Sequence, residues 1–204
     1  MKAGSHVELT LTQDIRTLAI SQGLDLVGFA PEARFAGVPE GFRPGDYLPG
    51  AVTVVSIACA IADDYCDTWG TYEDEGCSPL PYMYYGLGNA YWELARVANR
   101  IARLIEYRGY RSVIFPPHWS VSHYRSLTTD PTGWPLARVN NAIPQDFPHL
   151  VAAVASGLGQ FGWSGLVLTP DFGPRVRFNS IITDAPLQTD PLLSGELCRP
   201  ERCG

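Results

Sequence analysis

The 204-residue chain is 46% hydrophobic and 18% charged, a balance that fits a globular protein with one sizeable core and excludes a disordered one. Its net charge of −6 provides no general basic face for neutralising phosphates, so a nucleic acid is not an expected partner. No stretch approaches the ~18 apolar residues of a membrane span, and Met1-Lys2-Ala3-Gly4-Ser5-His6 holds neither an apolar signal core nor a twin-arginine pair, so the expected location is the cytoplasm.

Thr10 and Gln13 stand at capping-box spacing, Ile15, Leu18 and Ala19 form a short apolar stripe, and Gly23 closes this first helix. Residues 24–30 read as a strand, 31–50 as a loop rich in proline and glycine, and 52–61 as a buried strand with Cys59 as a buried thiol. Residues 63–89 read as irregular, with Asp63, Asp64, Glu73, Asp74 and Glu75 among tyrosines; so long a loop is usually functional or mobile. The clearest helix spans 90–107, where Leu94, Val97, Ala98, Ile101, Leu104 and Ile105 keep i, i+3, i+4 spacing before Gly109. Arg96, Arg100 and Arg103 share another of its faces, which reads as solvated.

A strand follows at 111–115, and 118–148, with His118 and His123, shows no period. A helix then covers 147–156, and strands at 166–169 and 176–183 flank a turn. Helices and strands mix without regular alternation, which favours an α+β fold over a doubly wound one. The five cysteines, Cys59, Cys66, Cys77, Cys198 and Cys203, are an odd count that speaks against a disulfide framework. Cys66 and Cys77 stand too far apart for a compact metal knuckle.

Gly157-Leu158-Gly159-Gln160-Phe161-Gly162 matches the dinucleotide fingerprint letter for letter, yet helix-forming residues precede it and a strand follows. That order is the reverse of what places a helix N-terminus on a pyrophosphate, so nicotinamide binding is not expected. Glycines at 157, 159, 162 and 165 either bare the backbone to a large flat ligand or simply form a tight helix-to-strand turn. Arg175 and Arg177, two apart, project from one strand face; paired arginines suit an anion, and a solvated face explains them too.

The stretch 155–177, Ala-Ser-Gly-Leu-Gly-Gln-Phe-Gly-Trp-Ser-Gly-Leu-Val-Leu-Thr-Pro-Asp-Phe-Gly-Pro-Arg-Val-Arg, resembles the signature of corrinoid-dependent reductases, the epoxyqueuosine reductases and reductive dehalogenases. Ile182-Thr183-Asp184-Ala185-Pro186-Leu187 and a cysteine cluster continue the resemblance. Weaker likeness upstream, at Leu26-Val27-Gly28-Phe29-Ala30 and the 43–49 loop, extends it over most of the chain. It implies a nitroreductase-like mixed sheet flanked by helices over residues 1–195, binding cobalamin base-off. Gly157, Leu158, Gly159, Gly162, Ser164, Gly165, Arg175 and Arg177 would lie along the corrin or its nucleotide tail. A protein histidine for cobalt would appear as Asp-x-His-x-x-Gly; Asp146-Phe147-Pro148-His149 has the wrong spacing.

Three departures shape the functional expectation. Residues 196–204 resemble the start of a ferredoxin-like module, with Cys198 and Cys203 as cluster ligands, but at a spacing unlike C-x2-C. A [4Fe-4S] cluster is therefore expected only if the chain continues beyond Gly204, and a cut before that module is favoured over its loss. Asn89-Ala90-Tyr91-Trp92 replaces the Arg-Asp-Tyr-His string that carries the proton-donating aspartate of epoxyqueuosine reductases, so epoxyqueuosine is not the expected substrate. The chain shows no export signal, unlike respiratory dehalogenases.

What remains is a corrinoid and iron–sulfur oxidoreductase acting on a small molecule, fed by an electron donor through the module. Tyr84 or Tyr85 is the expected proton donor, with aromatic packing the plainer reading of each, and His118 and His123 stand in reserve. A non-catalytic corrinoid carrier and an FMN-binding protein on the same fold are the competing readings. An exposed apolar face would also allow a homodimer.

Overall fold

The computed structural model describes residues 3–67, 80–117, 147–199 and 201. Its centre is a four-stranded sheet in the order β1-β2-β6-β3, built from β1 (Leu26–Pro31), β2 (Thr53–Ala60), β3 (Ser112–Ile114) and β6 (Val176–Thr183). Each pairing is antiparallel, so the expected mixed sheet is corrected among the described residues. The residue pattern marks strands, but their direction and neighbours follow from long connections it does not encode. The α+β class stands.

Two helices cover one face of the sheet. α1 (Ala3–Ser21) buries Leu11, Ile15 and Ala19, one helical turn apart, before Gly23 reverses the chain at φ +90°. α4 (Ala90–Tyr107) buries Leu94, Val97, Ala98, Ile101 and Ile105 against Val55, Ile57 and Ile181 of the central strands. Each large aliphatic side chain buried there contributes roughly 1.5–3 kcal/mol. The arginine stripe of α4 does face outward: Arg96 bonds Glu93 and Gln22, Arg100 bonds Gln22, and Arg103 bonds Tyr107.

The other face carries α5 (His149–Ala155) and an aromatic cluster in which Phe115 stacks on Phe147 at 5.0 Å. The helix comes close because the register sets small residues side by side, Gly28 against Ser56 and Ser56 against Ser180. A Cβ on Gly28 would meet Ser156 O at 2.6 Å. β2 and β6 are thus buried on both faces, which explains the largely apolar run of β2, whereas β6 also buries Asn179, Ser180 and Thr183.

Two regions differ from the sequence reading. Within 63–89, Asp63–Asp67 form a short helix, α3, and Tyr82–Asn89 a π-helical stretch that runs directly into α4. Between α5 and β6, β4 (Gln160–Phe161) pairs with β5 (Val167–Leu168) as a separate two-stranded hairpin. The loop at 31–50 also holds a 3-10 turn, Glu32–Phe35, and one helical turn, α2 (Pro44–Tyr47).

Candidate functional site

A cavity of about 710 Å3 opens where β2 ends and β6 begins. Its walls are largely apolar: Phe147 just before α5 and Leu150 within it, Phe161 and Leu166 from the hairpin, Val176 and Phe178 from β6. Polar groups enter at few points, chiefly Arg175, Arg177, Tyr82, Tyr91, His149 and Cys66. The hairpin rim is open to solvent, with Trp163 82% exposed. A large apolar recess with a handful of converging polar groups is the usual form of a small-molecule or cofactor site.

Arg175 and Arg177 both line the cavity, but they do different things there. Arg175, just before β6, donates to Asp63 Oδ1 at 2.7 Å and Asp67 Oδ1 at 2.8 Å. Those hydrogen bonds, Asp67's first, hold it more firmly protonated than a lone arginine. Arg177 lies in β6 opposite Cys59, and its side chain donates to the Tyr82 hydroxyl. Its guanidinium sits 5.8 Å from the Tyr82 ring centroid and 5.9 Å from that of Tyr91. Its Nε is buried without a partner among the described residues. Burial raises the Tyr91 pKa above the ordinary phenol value, against an opposing pull from Arg177.

His149 is buried, its Nδ1 3.0 Å from Ser180 Oγ. Its ring packs edge-on to Phe115 and Phe147. Cys66 reaches the cavity from α3, while Cys59 packs under α4, outside the cavity lining.

The candidate residues fall into three sets. Arg175 and Arg177 reach the cavity. Tyr84 and Tyr85 lie on the outside, 70% and 51% exposed, with Tyr85 stacked on Tyr65; Tyr82 and Tyr91 turn inward in their place. The sequence places all four phenols in one stretch, but which of them point inward depends on the π-helical turn, whose i to i+5 spacing rotates side chains relative to an α-helix.

The glycines mostly serve close packing. A Cβ on Gly157 would meet Pro191 O at 2.1 Å, one on Gly159 would meet Leu168 O at 2.3 Å, and one on Gly162 would press on the Leu168 side chain. Gly165, at φ +77°, forms the hairpin turn with open space around it. Leu158 packs against the buried cluster of Ala58, Ala153, Val167, Val176 and Phe178, and Ser164 is exposed at the hairpin tip. The order helix, glycines, hairpin confirms that the dinucleotide fingerprint is only a string match.

Cys198 lies beside the same hairpin and accepts a hydrogen bond from Trp163 N at 3.4 Å. Cys203, His118 and His123 lie outside the described residues. No group of three or more metal-ligating side chains occurs among the described ones, and none of their helices is long and apolar enough to cross a membrane. Sequence reasoning missed Gln160, whose side chain ties the hairpin to a later segment by bonding Gly195 O at 2.6 Å and Leu197 N at 3.2 Å. No local pattern marks such a contact.

In fold the chain matches solved structures of two kinds. An epoxyqueuosine reductase solved with an epoxyqueuosine-modified tRNA-Tyr stem loop superposes at a TM-score of 0.58 with 15% identity, over 95% of this chain and 50% of that one. The Bacillus subtilis epoxyqueuosine reductase gives 0.57 and 15%, over 92% and 48%. A catabolic reductive dehalogenase in complex with 3-bromo-4-hydroxybenzoic acid gives 0.59 and 18%, over 89% and 22%. The chain thus spans about half the length of these epoxyqueuosine reductases and about a fifth of the dehalogenase. No protein-family model matches it, and no curated protein matches it in sequence. The resemblance read from residues 155–177 therefore has a counterpart in three dimensions: the chain has the fold these proteins share.

Proposed function

We propose that the chain is the cofactor-holding part of a corrinoid-dependent oxidoreductase acting on a small molecule other than epoxyqueuosine. One observation carries this reading. The signature at 155–177 is not scattered over the fold; it runs from the end of α5 through the hairpin to the start of β6, and the hairpin and the start of β6 wall the 710 Å3 cavity. One of the matched structures is a reductive dehalogenase that suggests a mechanism for B12-dependent dehalogenation, which supports this reading.

The cavity suits such a group. Its apolar walls fit the faces of a broad ring, and the buried, unpartnered Nε of Arg177 offers a donor to polar groups at a ring's edge. Phe161, Leu166, Val176 and Phe178 would hold the ring, with Arg175 and Arg177 beside its polar periphery. When bound, a reduced corrinoid supplies electrons for reduction of the substrate.

The chain's own task is then to exclude water and to place a proton. Tyr82 is the proton donor in this reading, displacing Tyr84 and Tyr85 because it lines the cavity and they do not. The Arg177 N–H directed at its hydroxyl stabilises the negative charge left on that oxygen once the proton has gone. Tyr91, whose pKa burial raises above the ordinary phenol value, packs across the same guanidinium and holds it in place. Ala90, buried at the first position of α4, offers no carboxyl there, which supports a substrate other than epoxyqueuosine.

A visible-spectrum titration of the purified protein with cob(II)alamin, run beside one with FMN, tests this. The expected result is stoichiometric conversion to the base-off cobalamin spectrum with no response to flavin. A folded protein that leaves the cobalamin spectrum unchanged overturns the reading, and a flavin response would assign the cavity to FMN.

A further inference from the structure

Arg175 and Arg177 both stand at the cavity wall, yet among the described residues only Arg175 has its charge met. It holds Asp63 and Asp67 at 2.7 and 2.8 Å. Arg177 makes no ion pair among those residues; the one hydrogen bond of its side chain goes to the neutral Tyr82 hydroxyl, and its Nε is buried without a partner. Asp25 and Glu93, the acids that act on Cys59 across the strand pair, are turned to Ala60 N and to Arg96. A half-buried cation thus lines the cavity with two phenol rings, centred 5.8 and 5.9 Å away, beside its charge.

Such rings attract a cation without neutralising it, and withdrawing a charge from water is unfavourable until an opposite charge is supplied. The amides at a corrin's edge can accept hydrogen bonds but bring no charge. Strand alternation also turns Arg177 away from the wall that would hold a ring. Val176 and Phe178 pack with Ala153 of α5 and Val167 of the hairpin, whereas Arg177 projects from the other face of β6 towards Tyr91, near the start of α4. There it adjoins Tyr82, the proton donor of the proposed function. A guanidinium is planar and carries donors beyond the one directed at Tyr82, which suits two parallel bonds to a carboxylate. With Arg175 engaged, one positive charge is left. It matches a carboxylate better than a phosphate monoester, which carries about −1.5 to −2 near pH 7.

We propose that Arg177 is an anion site and that the substrate reduced in this cavity carries a carboxylate, bound at Arg177 with its reducible group beside Tyr82. Naming that ligand the substrate rests on the corrinoid reading; the anion site itself does not.

Isothermal titration calorimetry of the purified protein without cobalamin, at fixed ionic strength, tests this with phenylacetate and its neutral counterpart phenylacetamide. The expected result is one phenylacetate bound per chain, about ten- to a hundredfold tighter than phenylacetamide, as one charge-assisted pair provides. Arg177→Gln, checked for folding by circular dichroism, should abolish that preference. Arg177→Lys, which keeps the charge but not the planar fork, should retain part of it, and Arg175→Gln should retain most of it. Equal affinity for acid and amide in the wild type overturns the site, and so does an equal loss of preference in Arg175→Gln and Arg177→Gln. Inorganic phosphate that binds more tightly than phenylacetate overturns the carboxylate assignment and would mark a site for a phosphate, such as that of a cobalamin tail. Because no cobalamin is present, failure here leaves the corrinoid reading standing, and failure of the spectral titration leaves this binding result intact.

Discussion

Cys59 and Arg177 face each other across β2 and β6, and each shows how position decides what a residue can do. The Cys59 thiol packs under α4, where burial, with lesser contributions from Asp25 and Glu93, pushes its pKa up to about 11 from an ordinary 9.0. The folded protein therefore keeps the thiol proton where the unfolded chain has begun to lose it. The associated stability is whole below about pH 9 and drains away as pH rises towards 11. Denaturant unfolding across that range should show a steeper loss in the wild type than in Cys59→Ala; parallel curves would mean that the thiol titrates alike in both states. Arg177 and Arg175 teach a related lesson. The sequence gives them the same face and the same plausible anion, and alternation along the strand is indeed observed. Arg175 nevertheless spends its charge on two carboxylates from a helix that the residue pattern did not reveal, whereas Arg177 turns to two phenols.

Elements with a strong local period were legible in advance, and those fixed by distant contacts were not. α4 emerged from its apolar spacing and its terminal glycine, and β2 from an apolar run rich in β-branched residues. The π-helical stretch was read as irregular because its glycines and adjacent tyrosines carry no α-helical stripe. β4, two residues long, has no period at all and exists because β5 folds back on it. The glycine segment allowed two readings, and packing favours the tight one at three of its four glycines. This yields a graded expectation. Gly157→Ala, with backbone 2.1 Å from the new Cβ and φ +74°, should be the most damaging substitution, and Gly28→Ala, meeting Ser156 O at 2.6 Å, should cost about 1–3 kcal/mol. Gly165→Ala, with free space around it, should cost only the roughly 1–2 kcal/mol of a left-handed backbone. Urea unfolding would establish the order, and a Gly165 variant as damaged as the Gly157 variant would contradict this account of the hairpin.

At the scale of the molecule, the segment after β6 binds the two layers together. Asp190 receives two hydrogen bonds of 3.0 Å from Arg16 of α1, and its backbone exchanges N–H and C=O with β1 or its neighbours: Asp190 N donates to Phe29 O, and Arg34 donates to Asp190 O. Phe29 N also donates to the Asp190 carboxylate, while Arg16 caps Val27 O, so the outer side of β1 is occupied by charged partners. Asp190→Ala should lower stability by about 1–3 kcal/mol and make the segment around it an early target of limited proteolysis. An unchanged unfolding midpoint with an unchanged cleavage pattern would show that the segment is held elsewhere. The arrangement also has a timetable. The partners Arg16 and Asp190 are 174 residues apart, so β1 is made long before the segment that covers its edge. At ribosomal speeds the wait between residues 31 and 190 is about 8–30 s. Throughout it the nascent chain offers an open strand edge of the kind that pairs with other chains, so the period of greatest aggregation risk falls during translation.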